Sequence, residues 1–284
     1  MSFEEAQAYA ESHGLKRVDK IKTFFGYVGE CWQLRHFTYQ YALSKIIAGT
    51  AQNRLGLFWE FLTPLLTALM YYLAFGVLLG TRTDSDNFIF FLVAGVLTFN
   101  LFLQSFQSSS TSLVTSKDLA ETLLFPRILI PIAFGLQALI RSLPTLSLLY
   151  PFALITGITP SWAWLLLPFQ LILTVICGLS IGLLASRAVV KVRDIAQAIP
   201  LFARLLMFTS GIFFDVTARF ENAPDTIAVI AINSPTALLL DMTRGLFIPE
   251  DLPSSNQILG VIIGTAVTFT FAFVLFWRGE RRNG

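Results

Sequence analysis

Six long apolar stretches decide most of what this chain can become. They run from about Leu62 to Gly80, Phe88 to Gln107, Ile128 to Tyr150, Trp162 to Ala185, Ala198 to Phe214 and Ile258 to Trp277. An α-helix needs about 20 mostly apolar residues to cross a hydrocarbon core of about 30 Å. The stretch starting at Ala198 is the shortest of the six. None alternates apolar and polar residues with period two, which argues against a membrane β-barrel. Only 13% of the 284 residues are charged, where a soluble domain carries about 25%. The expected fold class is an all-α membrane protein with six transmembrane helices.

Basic residues orient such a bundle. Fifteen of the 20 Lys and Arg residues fall on one side of the drawing, and Arg82, Arg219 and Arg244 on the other. Arg141 and Arg204 fall inside spans. This predicts both termini on the cytoplasmic side of the membrane. The start, MSFEEAQAYAESHGLKRVDKIK, carries charges of both signs and lacks the apolar core of a signal peptide. The net charge of +2 is too small to point to nucleic acid.

Three parts are expected: a cytoplasmic tail (1–30), an interfacial helix (31–57) and a transmembrane domain (58–284). Residues 31–57 mix aromatics with Arg35, His36, Lys45 and Arg54. That mixture suits a helix lying in the inner interface, basic tips toward anionic headgroups; an ordinary cytoplasmic helix is the alternative. Between spans five and six, DTIAVIAI and PTALLLDM are each too short to cross. Asn233-Ser234-Pro235 separates them, and proline both removes a donor and disfavours helix at the preceding residue. Two re-entrant half-helices are expected there, with Asn233 and Pro235 at an outer gate; a folded outer loop is the alternative.

Several chemistries are missing. The sequence has no GxxxxGK[ST] phosphate loop, no HExxH and no GxSxG. Cys31 and Cys177 show no metal or disulfide spacing, so no metal site and no catalytic residue is assigned. A membrane glycosyltransferase using a polyprenyl-phosphate donor would need an acidic cluster; Asp84 and Asp86 are the one close outer pair.

The order of five segments is more telling: RLGLFWEFLTPLL (54–66), FLVAGVLTFNLF (91–102), LFPRILIPI (124–132), KVRDIAQAI (191–199) and INSPTALLLDMTRGL (232–246). Together they resemble the membrane subunits of ABC-2 type transporters, in the branch that exports lipid-linked polysaccharides such as O-antigen and teichoic acid. The chain departs from that branch at SKIIAGTAQN (44–53), where a basic segment is usual, and at Phe99-Asn100, where Trp-Asn is usual. The resemblance implies a homodimer, clasped by two copies of a separate ATPase subunit that holds ATP and Mg. It also implies a short coupling helix between spans two and three. A drug or small-lipid exporter of the same fold is the alternative cargo.

On these residues, Thr115, Ser116, Lys117, Asp118, Leu119, Ala120 and Glu121 form the expected contact with the ATPase, followed by Phe125, Pro126 and Arg127. Ser116 is a candidate N-cap, Asp118 and Glu121 suit the start of a short helix, and Pro131 suits the first turn of span three. A solvated loop is the alternative. Lys191, Arg193 and Asp194 are a candidate second contact, or simply positive-inside charge. Arg at mid-membrane costs about 2.5–3.5 kcal/mol on insertion scales, so Arg141 and Arg204 are expected along a translocation route, or else snorkelling. Tyr71, Tyr72, Phe99, Phe102 and Phe106 are candidate aromatic surfaces on that route.

Overall fold

The computed structural model describes residues 23–51, 56–74, 87–122, 125–214 and 231–283, apart from some side chains within them. Among these the regular structure is helical. Helices α1 (Phe24–Gln33) and α2 (Arg35–Ala51) replace the single interfacial helix expected over 31–57 and meet at Leu34. Helix α3 covers Gly56–Tyr71, α4 covers Phe88–Thr115 and α5 covers Lys117–Thr122. Helix α6 (Leu129–Ser147) continues as α7 (Leu149–Ile155). A 3-10 turn, Trp162–Leu166, leads into α8 (Leu167–Lys191), followed by α9 (Ile195–Thr209). Helices α10 (Pro235–Gly245) and α11 (Ser255–Asn283) complete the order.

Four of these segments are long and apolar enough to cross a membrane: Phe88–Thr115, Leu129–Ile155, Trp162–Lys191 and Ser255–Glu280. They correspond to the second, third, fourth and sixth expected spans. The other two are shorter. Helix α3 has 16 residues and α9 has 15, about 24 and 22 Å at 1.5 Å per residue. Neither reaches the thickness of a hydrocarbon core within the described residues, and positions 75–80 of the first expected span lie outside them.

Helix α4 is the centre of the bundle, buried along most of its length between α6 and α8. Its contact with α8 depends on two small residues. A methyl group on Gly178 would lie 2.6 Å from the Phe102 carbonyl oxygen, and one on Gly182 would lie 2.9 Å from that of Phe106. The four-residue spacing puts both on one face, so the two backbones approach as in small-xxx-small membrane contacts. Hydroxyls of α4 then reach both neighbours: Ser105 Oγ donates to the Val175 carbonyl of α8 (2.9 Å), and Ser109 Oγ to the Pro131 carbonyl of α6 (3.3 Å). Pro131 falls at the third position of α6, where its missing N–H is an orphan anyway.

Helix α1 lies against α11, with Phe24 and Tyr27 edge-on to Phe273 and Trp277. Its other face leaves Phe25, Val28 and Trp32 exposed. Those positions share a helical face, and an exposed apolar stripe of this kind suits an interface with lipid.

Ser234 N-caps α10, its Oγ accepting from the Ala237 N–H at 3.2 Å, with Pro235 at the first turn. The second expected half-helix is therefore a buried 11-residue helix. Only Ala231 and Ile232 of the first are described, and both are helical; its remaining residues lie outside the described part, as do residues 1–22 of the tail and the Asp84–Asp86 pair.

Candidate functional site

A cavity of about 650 Å³ opens between α3, α4 and α6. Helix α4 presents Asn100, Gln104, Gln107 and Ser108 to it, α6 presents Gln137, Arg141, Ser142 and Thr145, and α3 presents Trp59, Thr63 and Thr67. Each set recurs at three or four residues, so each forms a single helix face. On α4 and α6 this polar face is built into segments otherwise apolar enough to span.

Among the described residues the lining includes Arg141 and no acidic side chain. Arg141 lies 12 residues into α6, about 18 Å along the helix, and hence near the middle of the segment Leu129–Ile155. Ser142 Oγ meets Gln104 Oε1 at 3.5 Å, joining α6 to α4 across the wall. Gln137 Oε1 is buried without a hydrogen-bond partner. Leaving such an acceptor unmet costs about 1–3 kcal/mol. The cavity therefore offers amide and hydroxyl groups, one indole and one fixed positive charge.

The aromatic residues expected on a route have different places. Phe99, Phe102 and Phe106 are 2%, 1% and 4% exposed and pack inside the subunit. In this conformation they are core, which corrects the expectation that they face a passage. Tyr72 is half-buried against the same cluster. The side chain of Tyr71 lies outside the described part. Arg204 is exposed on α9, near the exposed Leu201 and Leu205, and does not line this cavity.

A second cavity, of about 400 Å³, lies between α8, α10 and α11. Asn233 and Pro235 both line it, with Ser180, Asn256 and Gln257.

The end of the bundle carrying α5 is held by a set of polar and aromatic contacts. Helix α4 runs on to Thr115, so Ser116 closes it instead of opening the short helix: its N–H donates to the Ser112 carbonyl at 2.9 Å. The Ser116 hydroxyl bonds that of Tyr41 at 2.8 Å. Thr115, Lys117 and Asp118 are exposed, Leu119 is half-buried, and the side chains of Ala120 and Glu121 lie outside the described part. Phe125 rests against Phe37 with ring centroids 5.2 Å apart. Pro126 is buried and Arg127 exposed. Helix α2 thus touches the chain on both sides of α5, and Tyr41 also meets Phe134 of α6.

Glu280 ties this assembly to α11. Its Oε1 accepts from the Arg127 N–H at 2.8 Å and from the Tyr27 hydroxyl at 3.0 Å. Burial pushes the Tyr27 phenol well above its usual range, with the Glu280 charge adding to the effect, so the phenol keeps its proton and donates. Lys191, Arg193 and Asp194 are exposed at the turn between α8 and α9.

Arg244 is the functional-looking residue that sequence reasoning missed. It is fully buried. Its Nε donates to the Phe91 carbonyl (3.1 Å), its Nη1 to Asp241 (2.9 Å) and its Nη2 to the carbonyls of Gly211 (3.0 Å) and Ile212 (3.3 Å). The guanidinium carbon also sits 3.4 Å from the Phe91 ring centroid. One side chain therefore joins α10, α4 and the end of α9.

Apolar helices long enough to cross a membrane, with a polar cavity opening between them, mark an integral membrane protein. The ABC-2 type transporter family matches residues 39–248, and the chain belongs to that family. Its relatives include an O-antigen export system permease protein RfbA of Klebsiella pneumoniae. That protein is 24% identical over 219 residues, which is 77% of this chain and 82% of the relative. A protein of the same name from Myxococcus xanthus is 22% identical over 249 residues, covering 88% and 94% of the two chains.

Proposed function

We propose that this chain is the membrane subunit of an ATP-driven exporter moving a lipid-linked polysaccharide out of the cytoplasm. Two copies form the passage, and two copies of a separate ATPase subunit supply the ATP and Mg sites. Membership of the ABC-2 family and the O-antigen export relatives support the class of cargo. The observation that carries the reading is the polar face built into spanning helices. A sugar hydroxyl taken into hydrocarbon without a partner costs about 4–8 kcal/mol, so a glycan crosses only where such groups are met.

In this reading the α5 end faces the cytoplasm, and α5 with Phe125–Arg127 receives the ATPase. The exposed Lys117 and Asp118 meet the partner. The contacts of α2 and Glu280 make the helix part of a rigid corner, which passes a force that a loose loop would absorb. Lys191, Arg193 and Asp194 form a second contact at the same surface.

The test is reconstitution in proteoliposomes with lipid-linked glycan on the outer surface, where inside-out copies expose the ATPase side. The chain with its ATPase and MgATP should move glycan into the lumen, and the chain alone should move none. Transport without the ATPase overturns the reading, as does a complete complex that hydrolyses ATP and moves no glycan.

A further inference from the structure

The cavity between α3, α4 and α6 has a chemistry narrower than a general polar passage. Among the described residues, Arg141 is its one charged lining side chain. Around that charge stand carboxamides, Asn100, Gln104 and Gln137, together with the half-exposed indole of Trp59. Carboxamides both donate and accept, as sugar hydroxyls do. A guanidinium is the side chain best matched to phosphate oxygens, through two parallel N–H donors. An indole face accepts an apolar sugar ring. Gln137 lines the cavity with its Oε1 tucked out of reach and without a partner, so its carboxamide gains a bond by turning toward a bound hydroxyl.

Position sharpens the match. Arg141 lies about 18 Å along α6 from its start, and Thr63 and Trp59 of α3 form the wall on the side of the helix that begins near the α2 end. Helix α3 also leaves Leu66, Leu69 and Met70 exposed. The cavity thus adjoins a helix with an apolar outer surface, suited to a hydrocarbon tail, while its interior suits a polar head.

We infer that this cavity binds the junction of a lipid-linked glycan: the phosphate or diphosphate on Arg141, and the first sugar among Asn100, Gln104, Gln137 and Trp59. The inference rests on the exporter reading for the class of cargo and adds where in the subunit that cargo is held. It makes Arg141 a residue for the anion and the amides residues for the sugar, so the two roles separate by substitution.

The experiment measures equilibrium binding to the full chain with its ATPase in lipid nanodiscs, without nucleotide. Three probes are compared: a polyprenyl diphosphate carrying one N-acetylglucosamine, the same lipid without sugar, and inorganic diphosphate. Arg141→Gln should weaken both lipid probes at least about tenfold, the loss expected for a charge-assisted hydrogen bond, and Arg141→Lys should recover part of it. Gln104→Leu with Gln137→Leu should weaken the sugar-bearing probe and leave the bare lipid diphosphate within about twofold. Inorganic diphosphate should bind far more weakly than either lipid. Unchanged affinity in both variants overturns the inference, as does absence of binding by the wild type or equal binding of inorganic diphosphate. Thermal melts of each variant identify unfolding, in which case Asn100→Leu replaces the double variant with the same expected and overturning results. Glycan transport by the wild-type complex in the proteoliposome assay is scored separately. The cavity assignment can therefore fail while the exporter reading stands.

Discussion

Gly95 of α4 faces the guanidinium of Arg244 so closely that a side chain of any size at that position would overlap Nη2. The buried cation of α10 is accommodated by the absence of a Cβ on the central helix. Two residues 149 positions apart therefore form one joint, in which carbonyls of residues 91, 211 and 212 hold the charge.

This joint predicts strong coupling between its members. Arg244→Ala removes four hydrogen-bond partners and should cost about 3–5 kcal/mol, the range for breaking a buried charged network. Gly95→Ala should cost about 1–3 kcal/mol by overpacking. In the Arg244→Ala background, however, the alanine methyl at 95 has room, so its added cost should be small. Thermal melts of the four proteins in one detergent test the cycle. Additive losses would show that the two residues do not share a joint.

Much of this architecture was legible in residues, and the gaps have physical causes. The spans at 88–107 and 162–185 were clear because apolar runs of that length have few other fates. Arg141 stood out because a charge in such a run is costly. The amides around it did not: Asn100 and Gln104 are uncharged, and they read as small interruptions until the helix aligns them. Their sequence positions suit Phe99, Phe102 and Phe106 to a route, yet one residue along a helix turns the direction by about 100°. That single step separates the buried Phe99 from Asn100 on the cavity wall. Arg244 reads as an outer loop charge because the short α10 gives no signal in sequence that its carboxyl-terminal end is buried. The proposed ATPase and second subunit would show in one chain only as exposed charges at one end, such as Lys117, Asp118, Lys191 and Arg193.

The α4–α8 contact should be intolerant of any added atom. At Gly178 the obstruction is the Phe102 carbonyl oxygen at 2.6 Å, a backbone atom that cannot swing aside. Gly178→Ala should therefore lower stability by about 1–3 kcal/mol. Gly260→Ala serves as a control, since a methyl there meets nothing within 4 Å, and it should leave the melting temperature unchanged. Equal melts for the two variants would contradict the packing described.

The proposed contact with an ATPase predicts proximity that depends on nucleotide. A cysteine replacing the exposed Thr115, or one replacing Ala120, should crosslink to the ATPase subunit in the assembled complex, with a yield that changes between apo and ATP-bound states. The same substitution at Ile155, 80% exposed beyond the opposite end of α6, should give no crosslink. A nucleotide-insensitive yield at both of the first two positions would rule out α5 as the moving contact.

Glu280 offers the sharpest test of how that motion travels. Its Oε1 holds the Arg127 N–H and the Tyr27 hydroxyl together, so α1, the α5–α6 connection and α11 meet at one oxygen. Glu280→Ala leaves both donors without it, at about 1–3 kcal/mol for each donor that stays buried. Glu280→Gln keeps a carbonyl oxygen in the same place and loses only the charge. If the corner transmits force, Glu280→Ala should keep ATP hydrolysis by the complex while glycan transport falls severalfold, and Glu280→Gln should retain most transport. Tyr27→Phe removes one of the two bonds and should fall between them. A uniform loss of hydrolysis and transport in Glu280→Ala would mean that the residue supports assembly alone, because a broken lever spares the motor and a broken dock does not.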